Sequence, residues 1–213
     1  MPVSNGRDSA ALLSITLDLM LPADSDRVRD PPIARYQSYH SAYNDDTTSR
    51  QCGNMALLPI RTKLRGPAPP PIDAEQPDIV DESIDLFRAN SLFRNFEIKG
   101  PADRVLIYLI LFISDCLSKI AASRVPMSQN EAQKQLSTFA IDNVVLPGDA
   151  NFPLNALYAA PANRNESDLL RQYLAQARQE TASRLVEKIY IDGKPSKWWL
   201  AFTKRKFMGK SLS

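Results

Sequence analysis

Apolar residues recur at helical spacing in most of the chain after residue 78, and this pattern predicts a helical protein. In the stretch 79–93 the spacing is close to 3.6 residues, with the apolar positions at Ile79, Val80, Ile84, Phe87 and Leu92. Residues 102–122 are apolar nearly all round their first three turns. A helix without a polar face must be surrounded by protein, so we expect this helix at the centre of a bundle.

Three further helices complete the pattern. Ser128 followed by Glu131 forms a capping-box signal for a short helix over 128–139. Residues 167–190 form the longest periodic stretch, and a last helix is predicted over 196–208 after a turn at Asp192 and Gly193. The predicted fold class is therefore all-α, with about five helices packed around one buried central helix and with long irregular connecting segments.

The chain before these helices has a different character. Residues 1–37 show no sustained period and contain scattered prolines and charges, which predicts a disordered N-terminal extension with one short helix near 12–20. Residues 38–213 are predicted to form a single helical domain, whose first part, 38–77, is an extended, proline-rich arm. Within the arm, the stretch 54–60 is an apolar exception, and its residues Met55, Leu57, Leu58 and Ile60 suit binding in a groove or at a sheet edge.

Composition and charge narrow the class of protein. The chain has 213 residues, of which 44% are hydrophobic and 23% charged, as in ordinary soluble globular proteins. Two cysteines cannot make a disulfide framework, and the longest apolar run, 105–113, is too short to span a membrane. The net charge of +2 hides a basic end, because residues 193–213 carry six cations and no acid.

Residues for catalysis or metal binding are scarce. The single histidine, His40, is predicted to be an exposed arm residue, and the seven glycines stand too far apart to make a phosphate-binding loop. Four acidic residues lie close together at the start of the first helix, where a solvated acidic first turn explains them: Asp78, Asp81, Glu82 and Asp85. We therefore predict no enzyme, no cofactor and no metal.

The basic end leaves two interpretations open. Lys204, Arg205 and Lys206 lie close to several aromatic residues and could bind nucleic acid or an anionic membrane. Alternatively, aromatic residues that begin a helix and cations that end it suit docking on a protein, with the cations favoured by the helix dipole. The separation of aromatic residues and cations along the helix axis favours protein docking.

Several stretches, spread in order over residues 38–213, together resemble one family. They are Tyr39-His40-Ser41, Gly53-Asn54-Met55-Ala56-Leu57-Leu58-Pro59-Ile60-Arg61, Gly66-Pro67-Ala68-Pro69, Asp78-Ile79-Val80-Asp81-Glu82, Ala102-Asp103-Arg104, Phe152-Pro153-Leu154-Asn155-Ala156, Arg178-Gln179-Glu180-Thr181, Lys194-Pro195-Ser196-Lys197-Trp198-Trp199, Phe207-Met208 and Lys210-Ser211-Leu212. In these stretches the chain resembles subunit 3 of the actin-related protein 2/3 complex, the p21 subunit family.

The resemblance implies a non-catalytic scaffold in the cytoplasm, at cortical structures of the actin cytoskeleton. It implies docking on actin-related protein 3 within a seven-subunit complex and contact with actin filaments through that complex. The local charge pattern and the short apolar run predict no nucleic-acid partner and no membrane insertion. The expected interface residues are Tyr39, Met55, Leu57, Leu58, Trp199, Lys204, Arg205, Lys206 and Phe207. Residues 1–37 precede the family pattern. Two explanations stay open for them: a lineage-specific tail, or an error in the predicted start or exon of the gene.

Overall fold

Five α-helices carry most of the regular structure in the computed structural model, which describes residues 39–46, 48–73 and 75–212. They are α1 (Ile79–Asn90), α2 (Pro101–Ala121), α3 (Gln129–Ile141), α4 (Arg164–Ile189) and α5 (Lys197–Leu200). The predicted extension at 1–37, with its short helix, lies outside the described residues.

Two small antiparallel hairpins accompany the helices. Strand β1 (Gln51–Cys52) pairs with β2 (Met55–Ala56), and β3 (Tyr190–Ile191) pairs with β4 (Lys194–Pro195). The predicted turn after α4 is the tip of the second hairpin, where Asp192 and Gly193 have φ values of 53° and 73°. The described chain is thus mostly helical, and the two hairpins depart from the all-α prediction.

Side-chain caps explain where the helices begin. The Asp78 carboxylate accepts two backbone amides of the first turn of α1, and Ser128 and Glu131 form the predicted capping box of α3. α4 begins three residues before the predicted start because the side chain of Asn163 accepts the amide of Glu166 at 2.9 Å. Capping therefore corrects the helix bounds by a few residues without changing which helices form.

Helix α2 is buried along most of its length. Sixteen of its 21 residues are buried, so no face of its middle turns is left for solvent. It contacts α1, α4, β2 and α5, and also the 3₁₀ turns Ala42–Asp45, Ala201–Lys204 and Phe207–Gly209. None of the described helices, α2 included, is long and apolar enough to cross a membrane.

The last helix, predicted over 196–208, is wrong as a continuous element. α5 ends at Leu200 and passes into the 3₁₀ turn Ala201–Lys204; Arg205 and Lys206 are extended, and Met208 has a positive φ of 52°. The break allows Phe207 to enter the core and the Met208 amide to donate to the Phe93 carbonyl at 3.1 Å. Tertiary contacts here outweigh the local preference for helix.

The acidic first turn of α1 is not solvated as predicted. Arg184 on α4 donates to both carboxylate oxygens of Asp78, at 2.7 and 2.9 Å, and to Asp81 at 2.8 Å. Glu180, one turn earlier on α4, accepts from the Arg184 Nε at 2.9 Å. Asp78 is fully buried, because an arginine distant in the sequence supplies its counter-charge.

Candidate protein-docking face

Three of the expected interface residues lie inside the core. Met55 and Leu58 have no exposed surface and Leu57 is 4% exposed, so a partner cannot reach these side chains in this conformation. Leu58 is also held by its backbone, which donates to the Tyr173 hydroxyl at 3.0 Å and accepts from it at 3.2 Å. Leu58 thus anchors the arm on α4, and β2, which contains Met55, contacts α2. These residues have a role within the fold; a role in an interface stays a prediction.

Trp199 and Phe207 are buried as well. The Trp199 ring stacks on Phe87 of α1 with centroids 5.9 Å apart, and the Arg88 guanidinium lies 5.7 Å from the Trp199 ring. Phe207 packs edge-on against Phe96 at 5.7 Å. The aromatic residues of the basic end therefore fix that segment to the body, while Lys204, Arg205 and Lys206 remain exposed.

Tyr39 meets the segment that follows α1. Its ring lies 4.8 Å from that of Phe93, and the neighbouring His40 ring lies 4.9 Å from Phe96. Tyr39, Leu92 and Phe93 stay 43%, 41% and 37% exposed. An apolar patch thus forms where the arm, the end of α1 and the basic end come together.

We define the docking face as Tyr39, Leu92 and Phe93 together with the exposed cations Arg94 and Lys206. The sequence placed Leu92 on the buried side of a helix that was expected to reach residue 93. α1 ends at Asn90 instead, so Leu92 and Phe93 leave the helical register and turn outward. The sequence signal that could have indicated this face is the apolar pair Leu92 and Phe93, which directly follows Asn90, the last residue of α1, and its C-cap Ser91.

Two buried carboxylates hold the arm beside this face. Asp103 on α2 accepts from His40 Nδ1 at 2.9 Å, from the Ser41 amide at 2.8 Å and from the Asn44 side chain at 2.7 Å. The Lys99 amide is its fourth donor, at 2.9 Å. The side chain of His40 is only 18% exposed, so the prediction of a solvated arm histidine is wrong. Asp103 fixes the arm as a multiple acceptor.

Glu82 on α1 is the second carboxylate. It accepts from the Ser41 hydroxyl and the Ala42 amide, both at 2.7 Å. Burial raises the pKa of Glu82, and the two hydrogen bonds offset this desolvation only in part. Beside it, the Asn90 side chain donates to the Tyr39 carbonyl at 3.0 Å, which sets Tyr39 against Phe93.

The geometry suits binding and lacks the features of a metal site. Both buried carboxylates are occupied as acceptors for the arm, and within the described ranges no three His, Cys, Asp or Glu residues group as metal ligands. The face itself offers aromatic and aliphatic surface with cations at its edge. That composition is typical of protein interfaces, where aromatic residues and arginine are enriched.

Comparison with known proteins identifies the family. The model of the P21-Arc family, described as the ARP2/3 complex ARPC3 (21 kDa) subunit, matches residues 36–212. This chain belongs to the P21-Arc family. A relative from Saccharomyces cerevisiae is 55% identical over 181 residues, and one from Schizosaccharomyces pombe is 51% identical over 177; each match covers 82% of this chain and 99% of the relative. Both are named actin-related protein 2/3 complex subunit 3.

Membership of the P21-Arc family confirms the resemblance seen in the sequence. A third relative, from Dictyostelium discoideum, has the same name and is 48% identical over 177 residues. The prediction that the chain is not an enzyme is confirmed, because the P21-Arc family consists of structural subunits. All residues of the docking face lie within the matched range, whereas residues 1–35 precede it.

Proposed function

We propose that this chain is a non-catalytic structural subunit of the actin-related protein 2/3 complex. In this proposal it docks on actin-related protein 3 and supports nucleation of branched actin filaments. Its other partners are the remaining subunits of a seven-subunit complex and, through the complex, an actin filament. Its place is the cytoplasm, at cortical actin structures, and the relatives that carry the subunit name support this assignment.

The docking face is the observation that carries the proposal. Tyr39 and Phe93 both expose ring surface; Asp103 and Glu82 fix the arm directly after Tyr39, and the Phe93 carbonyl accepts from the Met208 amide. A preformed apolar surface loses little conformational entropy on binding, so most of its contact energy is available for the partner. We further propose that α2 is the central scaffold, because elements from both ends of the described chain rest on it.

The surface near the basic end favours a protein over nucleic acid or a membrane. Trp199 and Phe207, two of the rings that could stack on bases, are 7% and 0% exposed. Lys204, Arg205 and Lys206 remain as a short group of cations, which suits the edge of a protein interface.

Reconstitution tests the proposal. The full chain, as wild type or with Tyr39→Ala and Phe93→Ala together, is co-expressed with the other subunits, and the recovery of actin-related protein 3 and the rate of branch formation are measured. We expect the double variant to bind at least about tenfold more weakly, since buried aromatic anchors dominate interface energies. Val125→Ala, which shortens another exposed apolar residue, serves as the control and should match wild type.

Two outcomes would contradict the proposal. The first is a wild-type chain that stays free of the complex, and the second is a double variant that assembles and branches like Val125→Ala. Salt-sensitive binding to RNA or anionic vesicles that disappears when Lys204, Arg205 and Lys206 become Ala would favour the polyanion alternative instead.

A further inference from the structure

A second exposed surface lies at the other end of α1. We define the basic loop as residues 61–66, which carry Arg61, Lys63 and Arg65 with Leu64 between the last two. Leu64 is 41% exposed, and Lys63 and Arg65 are exposed on either side of it. Residues 57–72 contain no acidic side chain, so the charge of the loop is uniformly positive.

The basic loop is fixed to the body at both of its ends. At its start, the Arg61 amide donates to Asp78 at 2.7 Å, and Arg184 Nη2 donates to the Arg61 carbonyl. At its end, Gln176 of α4 donates to the Leu64 carbonyl and accepts from the Ala68 amide, both at 2.9 Å. The loop is therefore held in one shape before any partner arrives.

Gly66 shows how closely the basic loop lies on α4. A Cβ atom at this position would stand 2.2 Å from the Gln176 Oε1, a distance that real side chains do not reach. Gln176 is itself 3% exposed, so it cannot move aside into open solvent. Glycine, which has no Cβ atom, allows this close approach.

The tip of the basic loop carries unneutralised charge. Arg61 is paired with Asp81 at 2.9 Å, and the other nearby acids, Asp78 and Glu180, are engaged by Arg184. Lys63 and Arg65 form no ion pair with any residue that the structure describes. Two free cations around an exposed leucine therefore face outward from a rigid base.

The basic loop and the docking face are separate surfaces. The loop contacts Asp78, the N-cap of α1, whereas the docking face begins just past the last residue of α1, Asn90. A helix of 12 residues is about 18 Å long at 1.5 Å per residue. The basic loop and the docking face therefore lie at opposite ends of α1 and can contact different partner surfaces.

We propose that the basic loop is a second docking surface, which binds an acidic surface on a neighbouring subunit of the complex and places Leu64 in an apolar pocket there. The proposal rests on the proposed function, because it takes the partner from the same complex. The positive charge of the loop favours an acidic partner, and the exposed leucine on a fixed backbone favours a protein surface. Two free cations neutralise too few phosphates for strong polyanion binding.

Charge reversal tests the basic loop. The double variant Lys63→Glu/Arg65→Glu is compared with the control double variant Arg124→Glu/Lys134→Glu. The control makes the same change of charge at two other exposed cations, one between α2 and α3 and one on α3. Labelled full-length chain is titrated onto the purified complex assembled without it. We expect the loop variant to bind at least about tenfold more weakly at low salt, with a smaller deficit at high salt, and the control to stay within about twofold of wild type.

Photocrosslinking identifies the contacted surface. A benzophenone amino acid is placed at position 64 or at position 93, and the crosslinked peptides are sequenced. We expect position 64 to capture a peptide rich in aspartate and glutamate, distinct from the peptide captured at position 93. An adduct at position 93 with none at position 64 would overturn the proposal.

The outcomes separate this inference from the proposed function. If wild type fails to join the complex, the proposed function fails. If wild type joins and the loop variant binds like the control, the proposed function stands and the second docking surface is refuted. Loss of binding to RNA or to phosphatidylserine vesicles in the loop variant, with assembly unchanged, would also overturn the acidic-protein partner. Circular dichroism of both double variants checks that neither change unfolds the chain.

Discussion

Replacing Tyr173 by phenylalanine should release the Leu58 backbone from α4 without opening a cavity. The hydroxyl of Tyr173 is the donor to the Leu58 carbonyl and the acceptor from the Leu58 amide, at 3.2 and 3.0 Å, and both residues are fully buried. Burial raises the pKa of Tyr173, so the hydroxyl stays protonated and able to donate. The variant removes one oxygen atom and leaves two backbone groups without a partner.

The magnitude follows from these two groups. A buried donor or acceptor without a partner costs about 1–3 kcal/mol, and phenylalanine saves about 1–2 kcal/mol by burying no hydroxyl. We therefore expect Tyr173→Phe to lower the free energy of unfolding by about 2–3 kcal/mol. Urea denaturation followed by circular dichroism measures this loss, and hydrogen exchange should show faster exchange at the Leu58 amide.

Tyr158→Phe is the matched control. The Tyr158 hydroxyl donates at 2.7 Å to the carbonyl of Arg104, which lies inside α2 and keeps its helical hydrogen bond. This variant should cost no more than about 1 kcal/mol. Equal losses of stability in the two variants, or a Leu58 amide as protected in Tyr173→Phe as in wild type, would show that the Tyr173 hydroxyl does not hold the arm.

Two further predictions concern the carboxylates that hold the arm. Asp103→Ala leaves four donors without their acceptor and should cost about 3–4 kcal/mol in urea denaturation, with faster hydrogen exchange at residues 41–44, whereas the exposed Asp168→Ala should stay within about 0.5 kcal/mol of wild type. Equal losses for the two variants would contradict the role of Asp103. For Glu82, whose pKa burial raises above the usual 4.5, the stability that the protonated form contributes is complete below pH 4.5 and is lost as the pH rises through the raised pKa. The stability of wild type relative to Glu82→Gln should therefore fall as the pH rises above 4.5, and a difference that is constant from pH 4 to pH 8 would show that Glu82 is not desolvated.

Local sequence signals were sufficient for the existence of the helices. The capping pair Ser128 and Glu131 and the acid at Asp78 mark starts that the structure shows, because a cap and the helix it starts are neighbours in the chain. The all-round apolar pattern of α2 likewise predicts burial, since it leaves no polar face for solvent. Family membership could also be recognised from the sequence, because the stretches that match the family are long and follow one another in the same order.

The docking face could be predicted only in part. Of its five residues only Tyr39 and Lys206 were among the expected interface residues. The apolar residues of the arm are buried in the core, and Leu92 and Phe93 were expected inside a helix. Whether an apolar side chain faces a partner or its own core depends on what packs over it. Leu58, for example, is held in the core by Tyr173, which lies 115 residues away in the sequence.

The existence of the helices, the family and its non-enzymatic character could thus be predicted from the sequence alone, because each depends on residues close together in the chain or on their order. Tertiary structure decided the break of the last helix at Arg205, the burial of Asp78 against Arg184 and the meeting of Tyr39 with Phe93. Each of these depends on a contact between distant segments, and such a contact can outweigh local preference by burying apolar surface or pairing a charge.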